Sequence, residues 1–280
     1  MTVDPKNPAH IIVVHGVQSG NNAQVTTHKR IEALLKASLE AVQLKKEYEV
    51  IGYLYEDMND KAQKVYQRIG KAIATGRPLV GDALHSIIDI AGDVITSAAE
   101  TSTAKKILDG LIDRIEKSYA EGHPVVLVSH SLGTVYSLDA VNALMTRDNR
   151  FIGDDMNTWP VRGLITLGSP LGLNINLLDK LHVFEKRKLN MVEGADFCFF
   201  KWTNFYNPLD PVVSGSLFGK PIAVKGSKGP VELRYANDVQ PAHWMLQGQS
   251  VVSEDQWLMA HESYYNTAKV GDEIMKTLWG

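Results

Sequence analysis

The chain has 280 residues, 44% of them hydrophobic and 22% charged, with 29 Lys and Arg against 32 Asp and Glu. These proportions are ordinary for a globular protein and exclude a disordered, collagen-like or coiled-coil chain, while the net charge of −3 speaks against a protein that coats duplex nucleic acid. One cysteine, Cys198, excludes an intrachain disulfide and a cysteine-built zinc site, and suits a reducing compartment.

The N-terminal residues are polar and lack the basic, apolar and small-residue pattern of a secretory signal. The apolar run at residues 11–14 predicts a first strand, closed at once by His15-Gly16, and helical periodicity follows over residues 28–42. A second strand is expected at residues 50–54. Residues 57–103 then exceed what a connection needs and read as a helical insertion, either a cap over a site or helices packed on the core. Its apolar-leaning stretch, residues 79–99, is interrupted by Asp82, His85, Asp89 and Asp93, so no transmembrane segment is expected and the default location is cytoplasmic. A helix over 104–120, a third strand at 125–129, a helix over 132–145 and a fourth strand at 164–167 come next. A smaller insertion at 173–190 carries Lys186-Arg187-Lys188, which reads as a solvated loop or as a peripheral contact to anionic headgroups. A fifth strand at 197–202 takes Cys198 as a buried filler, a weaker sixth is placed at 231–235, and a terminal helix covers 267–278. Continuous apolar strands alternating with amphipathic helices give the expected class: α/β, a mostly parallel central sheet with helices on both faces, in one domain over residues 1–280.

The third strand runs into Ser129-His130-Ser131-Leu132-Gly133, and a helix follows immediately. So sharp a turn needs small residues two before and two after its apex, which Ser129 and Gly133 satisfy. The apex lifts the Ser131 hydroxyl out of the carboxyl edge of the sheet and leaves the Leu132 N–H at a helix N-terminus, aimed where an oxyanion would form. This segment resembles the nucleophile elbow of the α/β-hydrolase superfamily, its serine esterases and lipases in particular, departing from G-x-S-x-G by Ser129 at the first glycine position.

The resemblance extends along the chain in the order that superfamily uses. The strand-then-turn His15-Gly16-Val17 looks like the segment that supplies the second oxyanion donor, the Val17 N–H, with His15 itself structural. Gly168-Ser169-Pro170 resembles the turn after the next strand, and Ser169 is taken as structural. Asp210-Pro211-Val212, past the fifth strand, looks like the acid loop and implies Asp210 as the acid, with Asp238 as competitor. Two histidines follow. Spacing from the acid favours His243, whereas the His-x-x-Tyr pattern of His261 and Tyr264, expected in a loop before the last helix, favours His261 as base. The implied activity is cleavage of carboxylic esters, of small-molecule or lipid substrates, through an acyl-enzyme on Ser131, His261 and Asp210, with no metal and no cofactor. Rivals are a thioesterase, amidase or acyltransferase on the same residues, and a catalytically inactive hydrolase fold that only binds. Of the aromatics near the acid and base, Trp202, Phe205, Tyr206, Trp257 and Tyr264, most are expected in the core and one or two in an acyl pocket. Phosphate-cradling glycine loops are missing, and the His10 and His15 pair, at an odd offset on one strand, points to opposite faces. Acyl length and oligomeric state stay open.

Overall fold

A computed structural model describes residues 3–16, 26–55, 102–146, 159–169, 201–207, 210, 213, 245–250 and 258–280. In chain order they form β1 (Ala9–Val14), α1 (Thr27–Ala41), β2 (Tyr48–Tyr53), α2 (Ser102–Ala120), β3 (Val125–His130), α3 (Gly133–Thr146) and β4 (Val161–Leu167). Then come β5 (Lys201–Tyr206), β6 (Met245–Ser250), the short helix α4 (Leu258–Glu262), a 3₁₀ turn (Ser263–Asn266) and α5 (Ala268–Trp279). The six strands make one sheet in the order β2-β1-β3-β4-β5-β6, and every neighbouring pair is parallel.

Every residue of β1, β3 and β4 is buried, as expected of central parallel strands covered on both faces. Alternation along each strand then decides which helices meet which face. Ala9, Ile11 and Val13 of β1 share a cluster with Val126 and Val128 of β3, Ile31, Leu35 and Leu39 of α1, and Val270 and Ile274 of α5. The intervening residues turn the other way. His10 Nδ1 lies 2.9 Å from Ser118 Oγ on α2, and Ser129 Oγ lies 2.6 Å from Ser137 Oγ on α3. So α1 and α5 cover one face of the sheet, and α2 and α3 the other. Strand β2, at one edge, is only partly buried. Among the described residues no helix is long and apolar enough to cross a membrane.

Four strands and four helices lie within a few residues of their expected places. The fifth is described over Lys201–Tyr206, four residues past the expected end at 202, because its middle is polar and its polar groups are satisfied inside the protein, while residues 197–200 lie outside the described residues. Trp202 Nε1–H donates to Thr166 Oγ1 at 2.9 Å, and the Thr166 hydroxyl donates to Asn204 Oδ1 at 2.8 Å. An apolar-run criterion overlooks Thr203 and Asn204 and so ends the strand early, at Trp202. Strand β6 was not anticipated at all, since Gln247, Gly248 and Gln249 interrupt any apolar alternation. The weak expectation at 231–235, the insertions at 57–103 (all but their last two residues, which start α2) and 173–190, and Cys198 lie outside the described residues.

Helix α5 is fastened to β5 by a buried carboxylate. Glu273 Oε1 accepts from Lys201 Nζ at 2.6 Å and from the Thr203 hydroxyl at 2.7 Å, with a side chain only 4% exposed. Burial pushes its carboxyl up, but the hydrogen bonds and charge of Lys201 together with Thr203 outweigh that and hold it below its ordinary value. A depressed carboxyl contributes stability that is present above its unfolded value, 4.5, and is lost as pH falls through the folded value. Glu273→Gln should therefore lower the urea-unfolding free energy at pH 7 by about 1–3 kcal/mol. The deficit should shrink steadily when the same comparison is made below pH 4.5.

Candidate active site

The strand order marks a place before any side chain is considered. From β1 the chain crosses to β2 on one side, then returns to β3 on the other, so the carboxyl ends of β1 and β3 flank the reversal. Crevices at such reversals are where open parallel sheets bind ligands. His15-Gly16 stands at the end of β1 and Ser131 at the end of β3.

Ser131 has φ of +54°, a left-handed conformation that costs a residue with a Cβ about 1–3 kcal/mol. The neighbours hold it there. Its N–H donates to the Leu167 carbonyl of β4 at 3.0 Å, and its carbonyl accepts from the Thr134 N–H at 3.0 Å and the Thr134 hydroxyl at 2.7 Å. Ser169 Oγ lies 2.9 Å from Thr134 Oγ1 and so braces the same turn from the end of β4. The turn also presses on β1. A Cβ at Gly133 would lie 2.6 Å from the His15 carbonyl oxygen and closer still to that of Val14, and one at Gly16 would lie 2.5 Å from Ser131 Cβ. Only glycines allow that approach. At the position where the G-x-S-x-G pattern has glycine, Ser129 is fully buried and its hydroxyl bonds Ser137 of α3. The departure thus costs no unpaired polar group. The backbone bonds that start α3 run from Thr134 N–H to Ser131 and from Val135 N–H to Leu132, and neither uses the Leu132 N–H.

Asp210 and His261 arrive from the other half of the chain. His261 Nδ1 lies 2.8 Å from Asp210 Oδ2, with both side chains buried. The Tyr264 hydroxyl donates to the same Oδ2 at 2.7 Å and accepts the Asn207 N–H at 2.9 Å. Gly168, with φ of +56°, leaves room for the pair, since a Cβ there would lie 2.9 Å from Asp210 Oδ2 and 3.0 Å from His261 Nδ1. His261 was expected in a loop and instead sits on the one-turn helix α4, directly before the 3₁₀ turn that carries Tyr264. Its buried Nε2 has no hydrogen-bond partner among the described residues, so no bond to Ser131 Oγ is formed. Such bonds are often long in unliganded sites and close when substrate binds.

Three buried histidines surround this edge with different electrostatics. Burial pulls His261 down, but the charge and hydrogen bond of Asp210 outweigh it and raise its pKa above 6.5. Burial pushes His130 well below 6.5, and the proximity of His261 adds to the effect. Burial also takes His15 down to about 4, against its bond to the Gly16 carbonyl at 2.5 Å. His15 stacks on Tyr55 with ring centroids 4.6 Å apart, and the Tyr55 hydroxyl donates to the His15 carbonyl at 2.7 Å. These contacts suit the structural part expected of His15.

Of the expected catalytic and oxyanion residues, Ser131, Leu132, Asp210 and His261 are described, and all lie at this edge of the sheet. Val17, His243, Asp238 and the Lys186-Arg187-Lys188 patch lie outside the described residues. Sequence reading did not single out Thr134 or His130, although both are in or beside the elbow. It used Tyr264 only as part of a pattern, without the bond to Asp210.

A six-stranded parallel sheet reverses its order beside a strained serine elbow, and an acid and a histidine follow in chain order. This is an α/β fold built on one all-parallel sheet. No family model matches the sequence, and no curated protein matches it. The chain is similar to the solved structure of a candidate α/β-superfamily hydrolase from Xanthomonas campestris pv. campestris, at 14% identity and a TM-score of 0.39 over 96% of this chain and 99% of that one. It is also similar to a Listeria innocua gene product at 13% identity and a TM-score of 0.42, over 98% of this chain and 94% of that one.

The opposed shifts of the histidines are measurable. In NMR titrations His261 should acquire its proton above pH 6.5, whereas His130 should stay neutral throughout the range around pH 6.5. A raised imidazole contributes stability below its unfolded pKa and loses it as pH rises through the folded value. Asp210→Asn removes the charge and leaves the burial, so His261 should then titrate below 6.5 and that pH dependence should reverse, with stability lost as pH falls.

Proposed function

We propose that the protein is a serine hydrolase that cleaves carboxylic esters, as one domain over residues 1–280 and in the cytoplasm. The observation that carries the reading is the buried His261, whose Nδ1 is occupied by Asp210 while its Nε2 has no partner among the described residues, beside the Ser131 elbow. A carboxylate on Nδ1 selects the tautomer whose Nε2 is a free acceptor, which is what a base for a serine hydroxyl requires. The raised pKa keeps that nitrogen basic near neutrality.

In this reading Ser131 Oγ attacks the ester carbonyl as its proton passes to His261 Nε2. The Leu132 N–H at the start of α3, with the Val17 N–H, receives the developing oxyanion. One such donor is worth about 2.7–4 kcal/mol of barrier. The imidazolium returns its proton to the leaving alcohol, forming the acyl-enzyme, and water then repeats the steps to release the acid. Asp210 compensates the transient positive charge, and Tyr264 holds Asp210 in place. No step needs a metal or organic cofactor.

A fluorophosphonate probe should label the wild-type chain at Ser131 and leave Ser131→Ala unlabelled. Hydrolysis of 4-nitrophenyl acetate should fall by roughly 10⁴–10⁶-fold in Ser131→Ala and in His261→Ala. Wild-type inertness to the probe would reduce the fold to a binding module. Loss of turnover in His243→Ala with His261→Ala active would move the base. A series of acyl chains, with thioester and amide counterparts, then identifies the bond preferred.

A further inference from the structure

Ser131 and His261 are brought together from distant parts of the sequence, and their spacing has to be held by something shorter than the chain between them. His130, the residue before the nucleophile, is only 3% exposed and lies at the last position of β3. Alternation from Val126 and Val128 turns its side chain toward the α1 and α5 face, where His261, Tyr264 and Tyr265 lie. Its Nε2 is 2.8 Å from the backbone carbonyl oxygen of His261, and the two imidazole centroids are 4.4 Å apart at 38°.

A carbonyl can only accept, so Nε2 carries the proton and Nδ1 carries the lone pair. That Nδ1 is buried without a partner among the described residues. An apolar side chain would avoid the orphaned acceptor, so the imidazole serves some end other than filling space.

We infer that His130 is a positioning residue, whose Nε2–H holds the main chain of His261 and so sets the base at a fixed distance from the adjoining nucleophile. This rests on the serine-hydrolase reading. Arg30 also touches this segment, through Glu262 at 3.0 Å, Asn266 at 3.2 Å and the Tyr265 ring at 4.5 Å. Its ion pair is over a third exposed on both sides, so solvent screens it, and its partners flank the base instead of being the base. The His130 bond is wholly buried and reaches the base itself. The deep neutrality of His130 also keeps a second cation away from His261 when that ring takes the serine proton.

The test pairs His130→Phe, which keeps a ring and loses the donor, with His130→Gln, whose amide can still reach the carbonyl. His130→Leu replaces the Phe variant if that chain does not fold. Against 4-nitrophenyl acetate the donor-free variant should lose about 10²-fold in kcat with KM little changed, and the fluorophosphonate labelling rate should fall in step. The Gln variant should recover most of that loss. Independently of turnover, the ¹H NMR signal of the His261 Nδ1–H should broaden in the donor-free variant and persist in His130→Gln. Wild-type kcat with an unchanged signal in His130→Phe would overturn the inference, as would a Gln variant no better than Phe. If the wild-type chain neither labels nor turns over ester, the serine-hydrolase reading fails, and the NMR comparison still decides whether His130 positions His261.

Discussion

Two pieces of backbone pass so closely at the carboxyl edge of this sheet that no Cβ fits between them. Gly133 lies against the carbonyls of Val14 and His15, and Gly16 lies against Ser131. This approach lets β3 turn directly into α3 with Ser131 left-handed at the apex, and it aligns the end of β1 with the start of the helix. The parallel pairing of β1 with β3 and of β3 with β4 supplies the rigidity that maintains the strain. Thr134 and Ser169 add hydrogen bonds to the same turn. A looser elbow would relax the serine into ordinary helix or strand and withdraw its hydroxyl into the protein.

The opposite side of the site obeys a different constraint, the burial of ionisable groups. Asp210 is inaccessible to solvent, and its Oδ2 accepts from both Tyr264 and His261. Each donor is fixed in turn: Tyr264 by the Asn207 N–H, and the main chain of His261 by His130. Neighbouring imidazoles therefore have opposed tendencies, one raised by a carboxylate and one suppressed by burial. Environments that separate the pKa values of adjacent groups assign them different duties. Here one ring is suited to exchange protons and the other to stay neutral and hold the chain.

Legibility in the sequence followed the physics of burial. Strands β1, β3 and β4 are buried on both faces, so their residues are almost uniformly apolar and stand out as runs. Helices α1, α2 and α5 show as amphipathic patterns for the same reason. The second half of strand β5 was missed because Thr166, Trp202, Thr203 and Asn204 satisfy one another or Glu273 across the fold, and no local pattern reveals a partner that distant. Strand β6 escaped because its glutamines and glycine carry no alternation. The elbow was readable because its demand for small residues is local, whereas the helical setting of His261 was not.

By itself, then, the sequence determined the α/β class, the serine at a strand-to-helix turn, and a short set of acids and histidines in the right order. Those properties depend on residues within a few positions of one another, where sterics and periodicity act through the chain. Tertiary structure alone decided that Asp210 meets His261, that Tyr264 shares the carboxylate, that Ser129 finds Ser137, and that His130 reaches the carbonyl of His261. Each of these joins separate segments of the fold. Hydrogen bonds between them exist only once β3, β4 and β5 are paired and α5 is packed, because only then are the groups removed from water and held within reach of each other.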